Sequence, residues 1–501
     1  MSVNVTIKNS DSIPLKDIPD LSYKEFFDSM TILLNKHSLH CVNYFCFENH
    51  EVKKLIACIA NDESHEIHLF SHSLQTGENK PGSLSKLFPA MQLFERDIYE
   101  KSGLHFENHP WLKPVRFPSN SKYSPYGMDN YPFYSIEGED LHEVGVGPIH
   151  AGIIEPGHFR FICNGETVLH LEIQLGYQHR GIENLLTIEN NRLRQMIIAE
   201  SIAGDTVIGH SMAAVNIFES LHKPDVSNSL LLERYIALEL ERIASHIGDT
   251  AAICSDIAYQ LGQVSCEALR TLIINGLQLW CGNRFGKGLI RPFGTDYPLN
   301  NEVAGNLLSI LEDVKQRYSD ITHRIFSLPS ALDRFESIGL LKLVQIQKLG
   351  AVGMVAKSGG LKRDVRWSHP SGQYSKIVFE PIVLETGDVW ARAMLRNLEV
   401  IQCISMVSKI LAEWTAEGSQ NPDYTAKMPE SALVISLVEG WRGEICHTGI
   451  TDSDGKLIHY SVKDPSFHNW SALAMAMRNQ EISDFPLCNK SFNLSYCGHD
   501  L

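Results

Sequence analysis

Four short stretches concentrate side chains able to move protons or hold charge. In "GPIHAGIIEPGHFRF" (147–161), His150, Glu155, His158 and Arg160 fall in one turn-rich segment. An imidazole titrates near neutral pH, so a histidine there is able to donate a hydrogen bond to a carbonyl oxygen and to supply a proton. The structural alternative is a histidine that satisfies the backbone of its own loop. In "LGYQHRGIENL" (175–185), Glu183 follows His179 and Arg180. A buried carboxylate with a raised pKa passes protons, and such neighbours tune it. The bland alternative is a salt bridge between Arg180 and an acidic partner. Arg363, Asp364 and Arg366 in "SGGLKRDVRWSHP", with Arg442 in "VEGWRGEICH", offer either direct contact to a polar ligand or an internal ion-pair network.

Other chemistries lack their residues. The 11 cysteines contain no C-x-x-C pair, and the 22 histidines contain no H-E-x-x-H. The glycines of "SGG" (358–360) and "GNRFGKG" (282–288) match neither phosphate-loop pattern, so nucleotide binding by this chain is not expected. With 44 basic and 59 acidic residues the net charge is −15, which argues against a nucleic-acid partner. At 501 residues the chain is long enough for two or more cores, and its 44% apolar content is that of an ordinary globular protein. No apolar run reaches about 18 residues, so no spanning helix is predicted. The N-terminus lacks a secretory pattern, and a cytoplasmic location is the expectation.

The elements that must position these residues are predicted as follows. "HCVNYFCFE" and "EIHLFSHSL" read as strands, and "SLSKLFPAMQLFERDIYEKSGLHF" as a helix ending at Gly103. Together they suggest a small α+β domain over residues 1–118. A Pro-, Ser-, Asn- and Tyr-rich connector follows at 119–140. "GHFRFICNGETVLHLEIQLGY" reads as a hairpin turning at Asn164–Gly165. Helices are expected at roughly 190–220, 256–281, 301–326, 340–350 and 389–416, then a more β-like end. In "LLLERYIALELERIASHIGDTAA" an apolar stripe (Leu232, Ile236, Leu240, Ile243, Ile247) leaves Glu239, Arg242 and His246 on another face, read as solvated. The fold class is α+β, with a mainly helical second domain at 141–501 carrying small peripheral sheets.

Several ordered stretches resemble known families. "FPAMQLFERDIYEKSGLHFENHP" resembles the 30-kDa-type subunit of respiratory complex I. "GPIHAGIIEPGHFRF", "LGYQHRGIENL", "LELERIASHIGD", "SGGLKRDVRWSHP", "GDVWARAMLRNLE" and "VEGWRGEICH" resemble the complex I 49-kDa-type subunit and, more closely, the large subunit of membrane-bound group 4 nickel-iron hydrogenases. In those hydrogenases two C-x-x-C pairs hold the metals, and soft thiolate suits nickel far better than hydroxyl oxygen. Alignment of "ESIAGDTVIGHS" puts Ala203 and Thr206 at the first pair. "SFNLSYCGHDL" puts Ser495 and Gly498 at the second, with Cys497 between them. The resemblance therefore implies a hydrogenase frame without metal ligands.

The resemblance implies further roles. His150 matches a histidine near the quinone head group of complex I, whose tyrosine partner is replaced around Gly204. Glu183 matches a hydrogenase proton relay, so Glu183 and His150 are the candidate catalytic residues. His150, His158, Asp205, Thr206, Arg363 and Arg442 are the candidate cofactor-binding residues around a vestigial polar cavity. No cofactor is expected on this chain; a quinone would bind at the cavity, and an iron-sulfur cluster would lie in a partner. The implied partners are an iron-sulfur small subunit of the complex I 20-kDa type and antiporter-like membrane subunits, with this chain peripheral on the inner membrane face. The implied function is a peripheral-arm subunit of an ion-translocating oxidoreductase; the alternatives are an active nickel-iron hydrogenase and a non-redox scaffold.

Overall fold

The structure, a computed structural model, describes residues 4–49, 52–75, 80–118, 123, 125–150, 154–221, 226–416 and 420–501. Residues 119–122 and 124 of the expected connector, and 151–153 of the His150 loop, lie outside the described residues. The architecture is α+β, as the sequence predicts.

The N-terminal part is an antiparallel sheet built from β1 (Val5–Ile7), β3 (Leu39–Asn49), β4 (Val52–Asn61) and β5 (Glu66–Ser73), in the order β1-β5-β4-β3. Strand β4, which the sequence reading passes over, explains how this part joins the rest. Its run "LIACIA" is apolar at every position, the pattern of a strand covered on both faces. Successive side chains alternate between two cores. Leu55, Ala57 and Ile59 face helices α1 (Tyr23–Leu34) and α2 (Gln92–Ser102) together with Phe26, Phe70 and Phe94. Ile56, Cys58 and Ala60 face Leu433, Ile435 and Cys446 of a second sheet.

That second sheet runs β11-β10-β9-β2, from β2 (Ser12–Pro14), β9 (Ala432–Glu439), β10 (Glu444–Thr451) and β11 (Leu457–Lys463). Strand β2 thus leaves the N-terminal part and pairs with Ala432–Val434. Helix α2 stops where predicted, with Gly103 in the left-handed conformation at φ 72°. It starts later than predicted. Residues 83–88 form turns because Glu95 in the first turn of α2 accepts Leu84 N–H at 2.7 Å and the hydroxyls of Ser83 and Ser85.

The predicted hairpin is present. Strands β7 (His158–Asn164) and β8 (Thr167–Gln174) turn through Gly165 at φ 55°, with β6 (Leu141–Val146) on the outer side. Helices α3 (Ile182–Ile188), α4 (Arg192–Glu200) and α5 (Val207–Phe218) follow. The single helix expected over 190–220 is broken at 201–206. The bundle comprises α6 (Asn228–Asp256), α7 (Gln260–Cys281), α8 (Asn301–Ile325) and the helix Val389–Ala412.

The face of α6 read as solvated is instead buried. Glu239, Arg242 and His246 are at most 1% exposed. They meet Lys357, Asp364, Arg366, Glu399 and Glu439 in a buried ion network. Lys357 Nζ lies 2.6 Å from both Asp364 and Glu399, and Arg366 grips Asp364 at 2.9 and 2.7 Å. Burying such charges is tolerable only because each is paired. Among the described residues no helix is long and apolar enough to cross a membrane.

Candidate functional site

The break between α4 and α5 is where the early and late segments of the chain meet. Arg180 Nη2 donates to the carbonyls of both Ile202 and Cys497 at 2.9 Å, tying the loop 201–206 to the segment 493–501. Asp500 fastens the other side, accepting Gly176 N–H at 2.8 Å and Gln178 N–H at 2.9 Å. The helix that leaves the loop is capped from elsewhere. Thr206 makes no side-chain cap, and Glu241 of α6 accepts Ile208 N–H at 2.7 Å and Gly209 N–H at 3.1 Å. Negative charge suits a helix N-terminus, though burial pushes the Glu241 carboxyl up to about 8.

Arg442, from the β9–β10 turn, is the centre of this loop site. It grips Asp205 through two bonds of 2.7 Å, reaches Thr206 Oγ1 at 3.2 Å, and donates from Nε to Asn493 O at 2.5 Å. Its guanidinium lies 3.8 Å from the Trp441 ring centre. Burial raises the Asp205 carboxyl, but Arg442 outweighs it and the net shift is downward. Asp205, Thr206 and Arg442 are therefore brought together as expected, but bonded to one another. Asp205 alone keeps a large accessible part, 45% of its side chain.

The residues expected at the four thiolate positions do not fit a nickel-iron centre. Ala203 has no donor atom. The Thr206 hydroxyl is taken by Asp205 and Arg442. Ser495 Oγ accepts Gly498 N–H at 2.9 Å as a helix cap. A Cβ on Gly498 would stand 2.7 Å from Asp464 Cγ and 2.9 Å from Ser495 Oγ, so a carboxylate fills the space a fourth side chain would need. A nearby sulfur, Cys497, is held as a thiol, its pKa pushed up to about 11 by burial and by Glu155. A protonated thiol is a poor metal ligand. Among the described residues no group of three or more His, Cys, Asp and Glu side chains is arranged to hold a metal.

The histidines expected at a ligand satisfy their own loop. His150 Nε2 lies 2.8 Å from Gly157 O, and His158 Nδ1 lies 3.0 Å from Gly147 O, each bonding across the β6–β7 connection. This loop abuts the late segment: a Cβ on Gly157 would meet the Tyr496 ring, and Glu155 Oε2 is 3.5 Å from Cys497 N.

Two expectations need correcting. Glu183 does not carry a raised pKa. It stands in a cluster with Lys101, Asp97, Arg116 and Lys463, paired with Lys101 and accepting Val462 N–H at 2.8 Å. Burial pushes its carboxyl up, but Lys101 and Lys463 overcome this and hold it at about 2. Arg363 is not among the Arg442 contacts. It pairs with Asp62 at 3.1 Å and donates to Ala351 O at 3.3 Å, clasping the N-terminal sheet to the second domain.

Sequence reasoning missed a chain of side chains directly behind the loop site. Asp464 Oδ2 is 3.1 Å from His210 Nε2, His210 Nδ1 is 3.1 Å from His447 Nε2, and His447 Nδ1 is 2.8 Å from Tyr460 OH. The only local signal was Asp464 before Pro465, which reads as a helix N-cap. It does cap the helix Pro465–Ala476, accepting Ser466 N–H at 2.7 Å.

Comparison with known proteins agrees with this layout. A family described as respiratory-chain NADH dehydrogenase, 30 Kd subunit, matches residues 23–133, and one described as respiratory-chain NADH dehydrogenase, 49 Kd subunit, matches residues 260–434. Hydrogenase-4 component G of Escherichia coli (strain K12) is 25% identical over 368 residues. That match covers 74% of this chain and 63% of the relative, so the chain spans less than two thirds of that protein's length. The C/D subunit of the NADH-quinone oxidoreductase of Phocaeicola vulgatus is 24% identical over 457 residues, covering 82% of this chain and 85% of that one. A chain of the membrane-bound sulfane sulfur reductase, an archaeal respiratory membrane complex, has a similar fold. Its TM-score is 0.67 at 20% identity, over 74% of this chain and 100% of that chain. The residues of the loop site, 203–206, 442 and 495–498, lie outside both matched family ranges.

Proposed function

We propose that this chain, a fusion of 30-kDa-type and 49-kDa-type complex I domains homologous to group 4 hydrogenase large subunits, is a peripheral-arm subunit of a membrane-bound, ion-translocating oxidoreductase complex without a nickel-iron centre. The observation that carries this reading is Asp464, whose carboxylate fills the space beside Gly498 while the hydroxyls of Thr206 and Ser495 are spent on protein partners. The frame of a metal site is retained and its contents are replaced by hydrogen-bonded polar side chains.

In this reading electrons arrive on an iron-sulfur cluster in a small partner subunit of the 20-kDa type, and antiporter-like subunits hold the assembly on the inner face of the membrane. In this reading the acceptor, a quinone or another small molecule, would bind beside Asp205 and His150. There the chain's own residues would orient a head group. His150 or His158 would exchange its loop bond for one to a carbonyl oxygen, and Arg442 would fix Asp205 and Thr206 beside it. Arg363 and Glu183 instead hold the two domains together, which keeps the loop site in register with the N-terminal part.

The test is affinity purification of the tagged chain from its native membranes. The reading expects co-purified membrane subunits and an iron-sulfur small subunit with its cluster signal. Recovery of the chain alone, or with partners that carry no redox centre, contradicts it and favours a non-redox scaffold.

A further inference from the structure

The four side chains behind the loop site come from α5, β10 and β11 with its C-terminal end, and meet with no exposed member. Asp464 follows β11, His210 lies on α5, His447 on β10 and Tyr460 on β11, and none is more than 2% exposed. At one end Asp464 stands against Gly498 in the loop site. At the other, Tyr460 faces the half-buried Arg192 of α4 and Cys446 of β10. Asp464 is faced by Arg442 from the β9–β10 turn and by Asp205 from the loop before α5.

We infer that Asp464, His210, His447 and Tyr460 form a proton relay joining the loop site to the interior of the β9–β11 sheet. Burial holds His447 neutral. Burial raises Asp464, but the bond to His210 and the charge of Arg442 keep it ionised. In the proposed relay each ring carries a single proton, and one hydrogen order then satisfies every contact. The Tyr460 hydroxyl donates to His447 Nδ1, His447 Nε2–H donates to His210 Nδ1, and His210 Nε2–H donates to Asp464 Oδ2.

The relay step moves each hydrogen across its own bond. The Tyr460 O–H and the two Nε2–H bonds break. New bonds form to His447 Nδ1, His210 Nδ1 and Asp464 Oδ2, and the tyrosinate left at Tyr460 takes up one proton from solvent hydronium, which becomes water. The net result is one proton delivered to the loop-site carboxyl, with both rings in the opposite tautomer and neither ring doubly protonated on the way. A neutral ring that accepts on one nitrogen and donates on the other is suited to this. The relay uses none of the residues assigned to the acceptor pocket, and its test does not depend on that assignment.

The test is histidine-selective ¹⁵N labelling of the full chain, purified with the subunits it assembles with. His210 and His447 signals are assigned by their loss in His210→Gln and His447→Gln. The inference expects both wild-type rings to be protonated on Nε2 alone. Asp464→Asn turns the first acceptor into a donor, so the proton should move to Nδ1 on His210 and also on His447, which Asp464 does not touch. Asp464→Ser keeps an N-cap oxygen and supplies a donating hydroxyl if the Asn variant fails to fold. A wild-type His447 protonated on Nδ1, or a His447 signal unmoved when His210 changes, overturns the relay.

Discussion

Asp464 and Gly498 face each other so closely that the Asp464 Cγ lies 2.7 Å from the position a Cβ on residue 498 would take. Any side chain at 498 therefore competes with the carboxylate. Gly498→Cys, the change that would restore one thiolate, should destabilise the folded chain by about 1–3 kcal/mol, the usual cost of overpacking an interior. Pairing it with Asp464→Ala should recover part of that loss, because the two residues share one space and their effects do not add. Thermal melting of the single and double variants reads both outcomes; additive losses would show that the contact is not the cause.

Removing either partner of the Asp205–Arg442 pair should have unequal effects. Arg442 is 5% exposed, whereas Asp205 keeps 45% of its side chain in contact with solvent. Asp205→Ala removes two bonds of 2.7 Å but leaves the guanidinium beside Asp464 and bonded to Asn493 O, and should cost about 2 kcal/mol. Arg442→Ala leaves the Asp205 carboxylate to water but also takes from the buried Asp464 the charge that keeps it ionised and frees Asn493 O, and should cost more, about 3 kcal/mol. Urea denaturation compares the two, and a larger loss for Asp205→Ala would contradict this asymmetry.

Glu183 makes stability depend on acid pH. Its folded carboxyl is held at about 2, below an unfolded glutamate near 4.3. Its contribution is therefore complete above about pH 5 and disappears as pH falls toward 2, a loss on the order of 3 kcal/mol. Glu183→Gln should weaken the chain at pH 7 and by progressively less as the pH is lowered through that window. Denaturation curves at several pH values test this. A stability gap between the two proteins that stays constant down to pH 3 would show that Glu183 is not ionised in the cluster.

The sequence reading was strongest where a local signal decides the outcome. Asn164–Gly165 marks the hairpin turn, and Gly103 supplies the left-handed residue that ends α2. It was weakest where the partner lies far along the chain. Glu239, Arg242 and His246 carry the same spacing whether they face water or Lys357, Arg366 and Glu399, and only the tertiary packing decides between the two. Asp464 reads locally as a helix cap, while His210, its other partner, lies in a different element altogether. Alignment of the early and late motifs did bring Asp205, Thr206 and Arg442 to one place. It could not tell that Arg363 would spend its charge on Asp62.

That clasp has its own consequence. Asp62 and Arg363 are both buried, so Arg363→Ala should cost about 3–5 kcal/mol and loosen the N-terminal sheet from the second domain. Limited proteolysis should then release an N-terminal fragment sooner than in the wild type. Unchanged protease resistance would assign the pair a purely local role.

The proposed absence of a nickel-iron centre is tested most directly by elemental analysis of the complex purified from its native source, with protein quantified by amino-acid analysis. Ala203, Thr206, Ser495 and Gly498 supply no thiolate, Cys497 is a protonated thiol, and Asp464 fills the space beside residue 498. The expected result is iron from a partner's cluster and nickel far below one atom per chain. About one nickel per chain, retained through gel filtration, would mean that soft-metal binding survives without its thiolates, and would contradict the account.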